Sequence, residues 1–138
     1  MFGLLKVRPK EILIWLKFLI SYFPGETGIV LREYDIKRRI NKSGRNIKIH
    51  IGVEITGYEN IELGSNINVM KYSSLYAHDA KLEIGDNVSI NANTCIGASD
   101  GGEIIIGNNV LIAQNVVLRA SDHAFSDLEL PIIEQGHN

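Results

Sequence analysis

The sequence holds a single cysteine, Cys95, in 138 residues. An internal disulfide is therefore excluded, no cysteine cluster points to structural zinc, and a reducing, cytosolic setting fits best. No apolar run reaches the ~20 residues that span a bilayer. The longest candidate, "EILIWLKFLISYF" from Glu11 to Phe23, is short and carries Lys17. Its flank of Lys6, Arg8 and Lys10 resembles the start of a secretory leader, but "YFPGETG" supplies a turn where a cleavage site needs small residues. Bases are scarce after residue 48. Residues 49–138 hold three bases against twelve acids (−9), whereas residues 1–48 hold eleven against four (+7). Such a split suggests a basic surface that meets something anionic, a membrane or a nucleic acid. The basic run lacks interleaved aromatics and any groove-reading motif, which argues against nucleic acid. What is present, 45% hydrophobic and 22% charged residues, is ordinary for one compact domain with a real core.

The N-terminal segment reads as helical. Glu11 to Phe23 predicts a first helix, ended by Pro24 and Gly25. A second is expected from about Gly28 to Asn41, with Arg32, Lys37, Arg38 and Arg39 on its polar side and "NKSGRN" closing it as a turn. Residues 1–45 thus form a basic helical region. Two readings of the first helix stay open with equal weight: peripheral contact with a membrane interface, or packing on its own trimer or domain.

From Ile49 onward the chain repeats every six residues. One column runs Ile49, Ile55, Ile61, Ile67, Ser73, and a second runs Ile51, Gly57, Leu63, Val69, Leu75. The pattern restarts at Leu82, Val88, Thr94 with Ile84, Ile90, Ile96, and again at Ile104, Val110, Val116 with Ile106, Ile112, Leu118. Gly64, Gly85 and Gly107 align, as do Asn66, Asn87 and Asn109. Both residue types tolerate left-handed angles and suit corners. Apolar residues at i and i+2 share one face of a short strand, while i, i+2, i+6, i+8 is not a helical face. Three hexads return the chain over itself, so stacked coils build a continuous core. The insertions follow Ala77, Ala98 and Ala120, at one corner of every coil, and such loops are where a scaffold holds chemistry.

These hexads resemble the hexapeptide-repeat acyltransferases, whose fold is a left-handed parallel β-helix. The resemblance implies a mainly β protein, with the β-helix over 46–138 preceded by two α-helices. "IGNNVLIAQNVVLRASDHAF" followed by "LPIIEQGHN" is similar to the sugar O-acetyltransferase branch. There a loop, here 119–131, bears the catalytic histidine. The resemblance implies acetyl-CoA as cosubstrate, a sugar acceptor from a surface polysaccharide or its lipid-linked precursor, and a homotrimer in the cytoplasm, peripheral at the inner face of the cytoplasmic membrane. His123 matches the catalytic position and is expected as general base, a role worth ~10²–10⁴ in rate. Asn93, through a two-residue gap, aligns with an acceptor-contacting asparagine. Asp100 and Asp122 are candidates for binding sugar hydroxyls or orienting His123, and together with Asp79 would stack as an acidic ridge.

The remaining groups carry weaker expectations. His78 reads as a surface-loop residue, His50 as inert, and His137 lies beside the last residue. Cys95 points outward with no base suggested beside it. No metal is expected: the zinc-binding carbonic anhydrases of this fold need a His-x4-His spacing that is absent. Relatives continue past "QGHN" into coils that carry a Trp-Ile-Gly motif, an oxyanion-stabilising amide and most of the CoA groove, whereas the only tryptophan here is Trp15. The resemblance thus implies a C-terminally truncated member with an unpaired last coil. Loss of the oxyanion donor alone is worth ~10²–10³ in rate. The alternative is therefore an inactive β-helix module that oligomerises or docks on a membrane. A third reading is acyl transfer to an amino sugar or amino acid.

Overall fold

The computed structural model describes residues 8–136, so Lys6 and His137 lie outside the described residues. Two helices lead into twelve short strands. Helix α1 spans Pro9–Tyr22 and α2 spans Gly25–Lys37. Proline suits the first turn of α1, where its missing N–H would have no partner anyway. Helix α2 starts earlier than expected because Gly25 takes a φ of 70°, which lets the chain turn directly after Pro24. It also stops earlier: the N–H groups of Arg39 and Ile40 both donate to Ile36 O, tightening the last turn, and the Ile36 and Ile40 side chains are buried in the core.

The strands are β1 (Lys42–Ser43), β2 (Ile47–Ile49), β3 (Glu54–Thr56), β4 (Ile61–Leu63), β5 (Ile67–Val69) and β6 (Ser74–His78). They continue as β7 (Lys81–Ile84), β8 (Ser89–Ile90), β9 (Cys95–Ser99), β10 (Glu103–Ile106), β11 (Leu111–Ile112) and β12 (Val117–Arg119). All ladders are parallel, and each of the three sheets takes one strand from every coil: β1-β4-β7-β10, β2-β5-β8-β11 and β3-β6-β9-β12. The result is a three-sided β-solenoid of four coils. Its first strand lies at Lys42, ahead of the expected start at residue 46, because "NKSGRN" both turns and pairs with β4.

The columns face inward as the hexads require. Ile47, Ile61, Ile67, Leu75, Leu82, Ile90 and Ile96 are each no more than 1% exposed, a burial worth roughly 1.5–3 kcal/mol per side chain. The two polar members are satisfied: Ser73 Oγ donates to Asn91 O at 2.9 Å and Thr94 Oγ1 to Ala113 O at 2.9 Å. The first coil differs from the expected phase. Its inward pairs are Ile47 with Ile49 and Val53 with Ile55, while Ile51 sits half-exposed at a corner. Gly57 (φ 69°) leads into a 3-10 turn at Tyr58–Asn60, so this coil carries an insertion at the same corner as the others.

Left-handed residues turn the corners, and at two of them they do so in all four coils. Asn46, Asn66, Asn87 and Asn109 have φ of 57–59°. Their amides form a ladder, each Nδ2 donating to the next Oδ1 at 3.0, 2.9 and 3.0 Å. The opposite corner stacks Gly52, Tyr72, Asn93 and Asn115. The glycine column serves another purpose than expected. Gly64 and Gly85 do not adopt positive φ; a Cβ there would come within 2.6 and 2.9 Å of the next coil's backbone.

Candidate functional site

The loop bearing His123 leaves the solenoid from β12, so the outer face of β3-β6-β9-β12 is the wall beside it. Register places Thr56, Tyr76, Gly97 and Arg119 in one outward row. Gly97 is required there, because an added Cβ would lie 1.9 Å from the Tyr76 ring. That ring covers the glycine and meets Arg119, whose guanidinium carbon is 5.8 Å from the ring centroid. Burial, then the Cys95 thiol beside it, push the Tyr76 phenol above its ordinary value, and Arg119 pulls the other way. The next row starts at His78, the last residue of β6. Its Nε2 shares a 2.9 Å hydrogen bond with Thr56 Oγ1, and its ring lies 6.1 Å from that of Tyr76. His78 is thus a strand-end residue rather than a loop histidine.

The chain keeps register slightly beyond β12. Ala120 N–H donates to Gly97 O at 3.2 Å, and the Ser99 and Ser121 hydroxyls are 2.6 Å apart. At Asp122 it departs. Asp79 and Asp100 take left-handed φ of 48° and 53° and stack at one corner, where Asp100 N–H donates to His78 O at 3.1 Å. Asp122 does not adopt that conformation; its Oδ1 accepts the His123 N–H at 2.8 Å. The ridge of three aspartates is therefore a stack of two. His123 is exposed. Next to it, Ala124 N–H donates to Gly136 O at 3.0 Å, tying the loop's outgoing and returning ends. Gln135 braces the far side by donating Nε2 to Asp127 O and Leu130 O at 2.7 and 2.8 Å.

Asp122, His123 and, one coil below, Asp100 share a corner. Asn93 does not join them within one chain. It turns the opposite corner (φ 58°), its N–H bonded to Lys71 O at 3.1 Å, with all of β9 between it and Asp100, on the order of 20 Å of extended chain. His50 is half-buried, its Nε2 3.0 Å from Asn68 Oδ1. Cys95 faces outward, half-buried under Tyr76. Among the described residues no group of three or more His, Cys, Asp or Glu side chains is placed to hold a metal ion. Sequence reasoning missed Tyr76, Arg119 and the Ser99–Ser121 pair. The first two follow Leu75 and Leu118 by one position, and that outward phase was the available signal.

No protein-family model and no solved structure matches the chain. It is 29% identical over 119 residues to a probable acetyltransferase of Mycobacterium tuberculosis, a match covering 86% of this chain and 38% of that protein. The chain thus spans well under half the length of the curated relative that it matches. Kinship to a protein of that name and a parallel β-solenoid of four coils are together consistent with a hexapeptide-repeat acyltransferase.

Proposed function

We propose that the chain transfers an acetyl group from acetyl-CoA to a sugar hydroxyl of a surface polysaccharide or its lipid-linked precursor, with His123 as general base. The observation that carries this reading is the departure of the chain from register at Asp122, which presents an accessible imidazole on a braced loop in a relative of an acetyltransferase. The acceptor oxygen attacks the thioester carbonyl while His123 takes its proton. The tetrahedral intermediate then expels the CoA sulfur, which receives that proton from the imidazolium. Both substrates held together supply proximity, with no covalent enzyme intermediate. Asp122 sets the backbone of His123, while Asp100 and, from a second copy, Asn93 contact the acceptor.

Exposed apolar groups in the loop and in the turn after it support a homotrimer whose second copy covers them: Phe125, Leu128 and Ile133 are 67, 94 and 82% exposed. Helix α1 supports a peripheral contact with anionic lipid at the inner face of the cytoplasmic membrane. Leu13, Ile14, Trp15, Phe18 and Leu19 are each at least 55% exposed, beside Lys10 and Lys17. No described helix is long and apolar enough to cross a membrane, so the contact is interfacial.

The test is thiol release from acetyl-CoA across a panel of sugar, amino-sugar and lipid-linked acceptors. His123→Ala is expected to lose ~10²–10⁴ of the rate with an unchanged circular dichroism spectrum, because the side chain is exposed. Activity that survives this substitution sinks the mechanism. A folded chain that cosediments with phosphatidylglycerol vesicles but transfers nothing favours the second reading, a non-catalytic docking module, which the exposed α1 supports.

A further inference from the structure

The opposite end of the solenoid carries a cavity that this chemistry does not use. It is a half-open pocket of about 330 Å³ between α1, α2 and the first coil. Ile20, Ile36, Val53 and Ile55 give it an aliphatic wall, and the charged residues lining it are Lys17, Arg32 and Arg39 against Asp35 and Glu54.

Arg32 is 5% exposed, a buried cation with no carboxylate partner among the described residues. The acids nearest in sequence are engaged elsewhere, Glu33 with Lys37 and Asp35 with Arg39, both at 2.7 Å. Arg32 Nε donates to Ile49 O at 2.7 Å. Nη1 is shared among Phe23 O at 2.8 Å, Ile20 O at 3.1 Å and Ser21 O at 3.3 Å. Those carbonyls are the negative end of α1 and offset part of the charge. Nη2 has no hydrogen-bond partner among the described residues. A guanidinium whose stem is buried and whose Nη2 donors open into a pocket with an aliphatic wall is matched by an anion, because Asp35, the acid lining this pocket beside it, is held by Arg39.

We propose that this cavity binds a small aliphatic anion, a carboxylate or phosphate monoester, with its charged end on Arg32 Nη2 and its hydrocarbon against the isoleucine wall. At a water-like ~30 Å³ per non-hydrogen atom, the space takes on the order of ten such atoms, the size of an eight-carbon acid. Lys17, on the exposed side of α1, adds a second cation. The inference stands apart from acetyl transfer, and its failure leaves that reading untouched.

Isothermal titration of the full chain with octanoate tests it, with 1-octanol as the tail alone, inorganic phosphate as the head alone, and hexyl phosphate as the alternative head. Expected are saturable one-to-one binding of octanoate or hexyl phosphate and at least tenfold weaker binding of octanol and of phosphate. Phosphatidylglycerol vesicles that compete with octanoate would place the source of the anion in the membrane; without competition, the source is a free metabolite. Arg32→Gln is expected to erase the preference for octanoate over octanol. Ile20→Trp, at a half-buried position in the wall, is expected to abolish binding by filling the space while leaving the circular dichroism spectrum unchanged, and it decides the matter where Arg32→Gln fails to fold. Absence of saturable binding of both anions, equal affinity for octanol, or octanoate binding undisturbed by Ile20→Trp overturns the proposal.

Discussion

The asparagine ladder makes a positional prediction that needs no knowledge of function. Asn66 and Asn87 each take part in two ladder bonds, and Asn46 and Asn109 in one. All four sit at left-handed φ. Replacement by glycine keeps that φ accessible but removes the amide. At ~0.5 kcal/mol per partly solvated bond, the low end of the usual range, plus ~0.5–1 kcal/mol of glycine backbone entropy, the interior sites should lose about 1.5–2 kcal/mol. The end sites should lose about 1–1.5 kcal/mol. Replacement by alanine removes the same bonds and adds the left-handed penalty of ~1–2 kcal/mol, so Asn87→Ala should lose about 2–3 kcal/mol. Urea unfolding followed by circular dichroism reads these differences, provided that the slope of the transition is unchanged. Equal losses at ends and interior would show that the ladder contributes nothing beyond backbone conformation. A glycine variant less stable than the alanine variant at position 87 would refute the corner argument.

Three further outcomes follow from particular contacts. Arg32→Met leaves the carbonyls of Phe23 and Ile49 without their donor, while Ile20 O and Ser21 O keep the N–H of Phe23 and Gly52, and should destabilise by about 3 kcal/mol; a loss under ~1 kcal/mol in urea unfolding would mean that water replaces the guanidinium freely. Tyr72→Asn puts a residue suited to φ 60° where a tyrosine is strained, and should raise stability by ~0.5–1 kcal/mol even after losing the ring contact over Gly52; a lower unfolding midpoint would contradict this. For Glu33, burial alone would raise the carboxyl, but Lys37 at 2.7 Å and the Ile47 N–H at 3.3 Å outweigh it and hold it below the usual range. A depressed carboxylate pKa stabilises fully above the unfolded value, and that stabilisation is lost as pH falls through the folded one. Wild type should therefore lose more stability than Glu33→Gln between pH 7 and pH 3, by well under ~1 kcal/mol given the exposure of the pair, and parallel pH profiles would remove the pair from the account.

The solenoid was legible in the sequence because its core is written in a fixed period. Ile61, Leu82 and Ile104 announce one column, and their neighbours repeat it with the right spacing. The first coil was misread because Ile49, Ile55 and Ile61 also stand six apart. Gly57 to Asn60 hide an insertion inside that run, and only pairing of Ile49 with Val69 reveals it. The glycine column misled for a related reason: a glycine needed for close approach looks in sequence like one needed for a left-handed turn, and Gly64 is the former. His123 was recognisable where the rhythm ends. The Ser99–Ser121 contact that fixes the point of departure was not, since it joins residues 22 apart whose pairing depends on insertion length. Arg32 read as a polar-face cation, because nothing local signals that four carbonyls from α1 and the first coil converge on it.

On the proposed function, the separation of the two ends of the solenoid constrains the acceptor. Helix α1 joins the body at the first coil, where Ser21 O accepts the Gly52 N–H, whereas the His123 loop leaves from the fourth. Sheet β3-β6-β9-β12 sets three strand spacings between them, about 14 Å. With α1 in the headgroup layer and the coil axis along the membrane normal, His123 stands at least that far above the lipid. A sugar linked directly at the headgroup plane does not reach it, whereas one carried on a linker about 14 Å long does. With the axis in the membrane plane, His123 lies near the lipid surface and a short linker suffices. Linker length among active acceptors therefore reports how the solenoid would stand, and an acceptor that works equally well free of lipid removes the membrane from the proposed catalytic step.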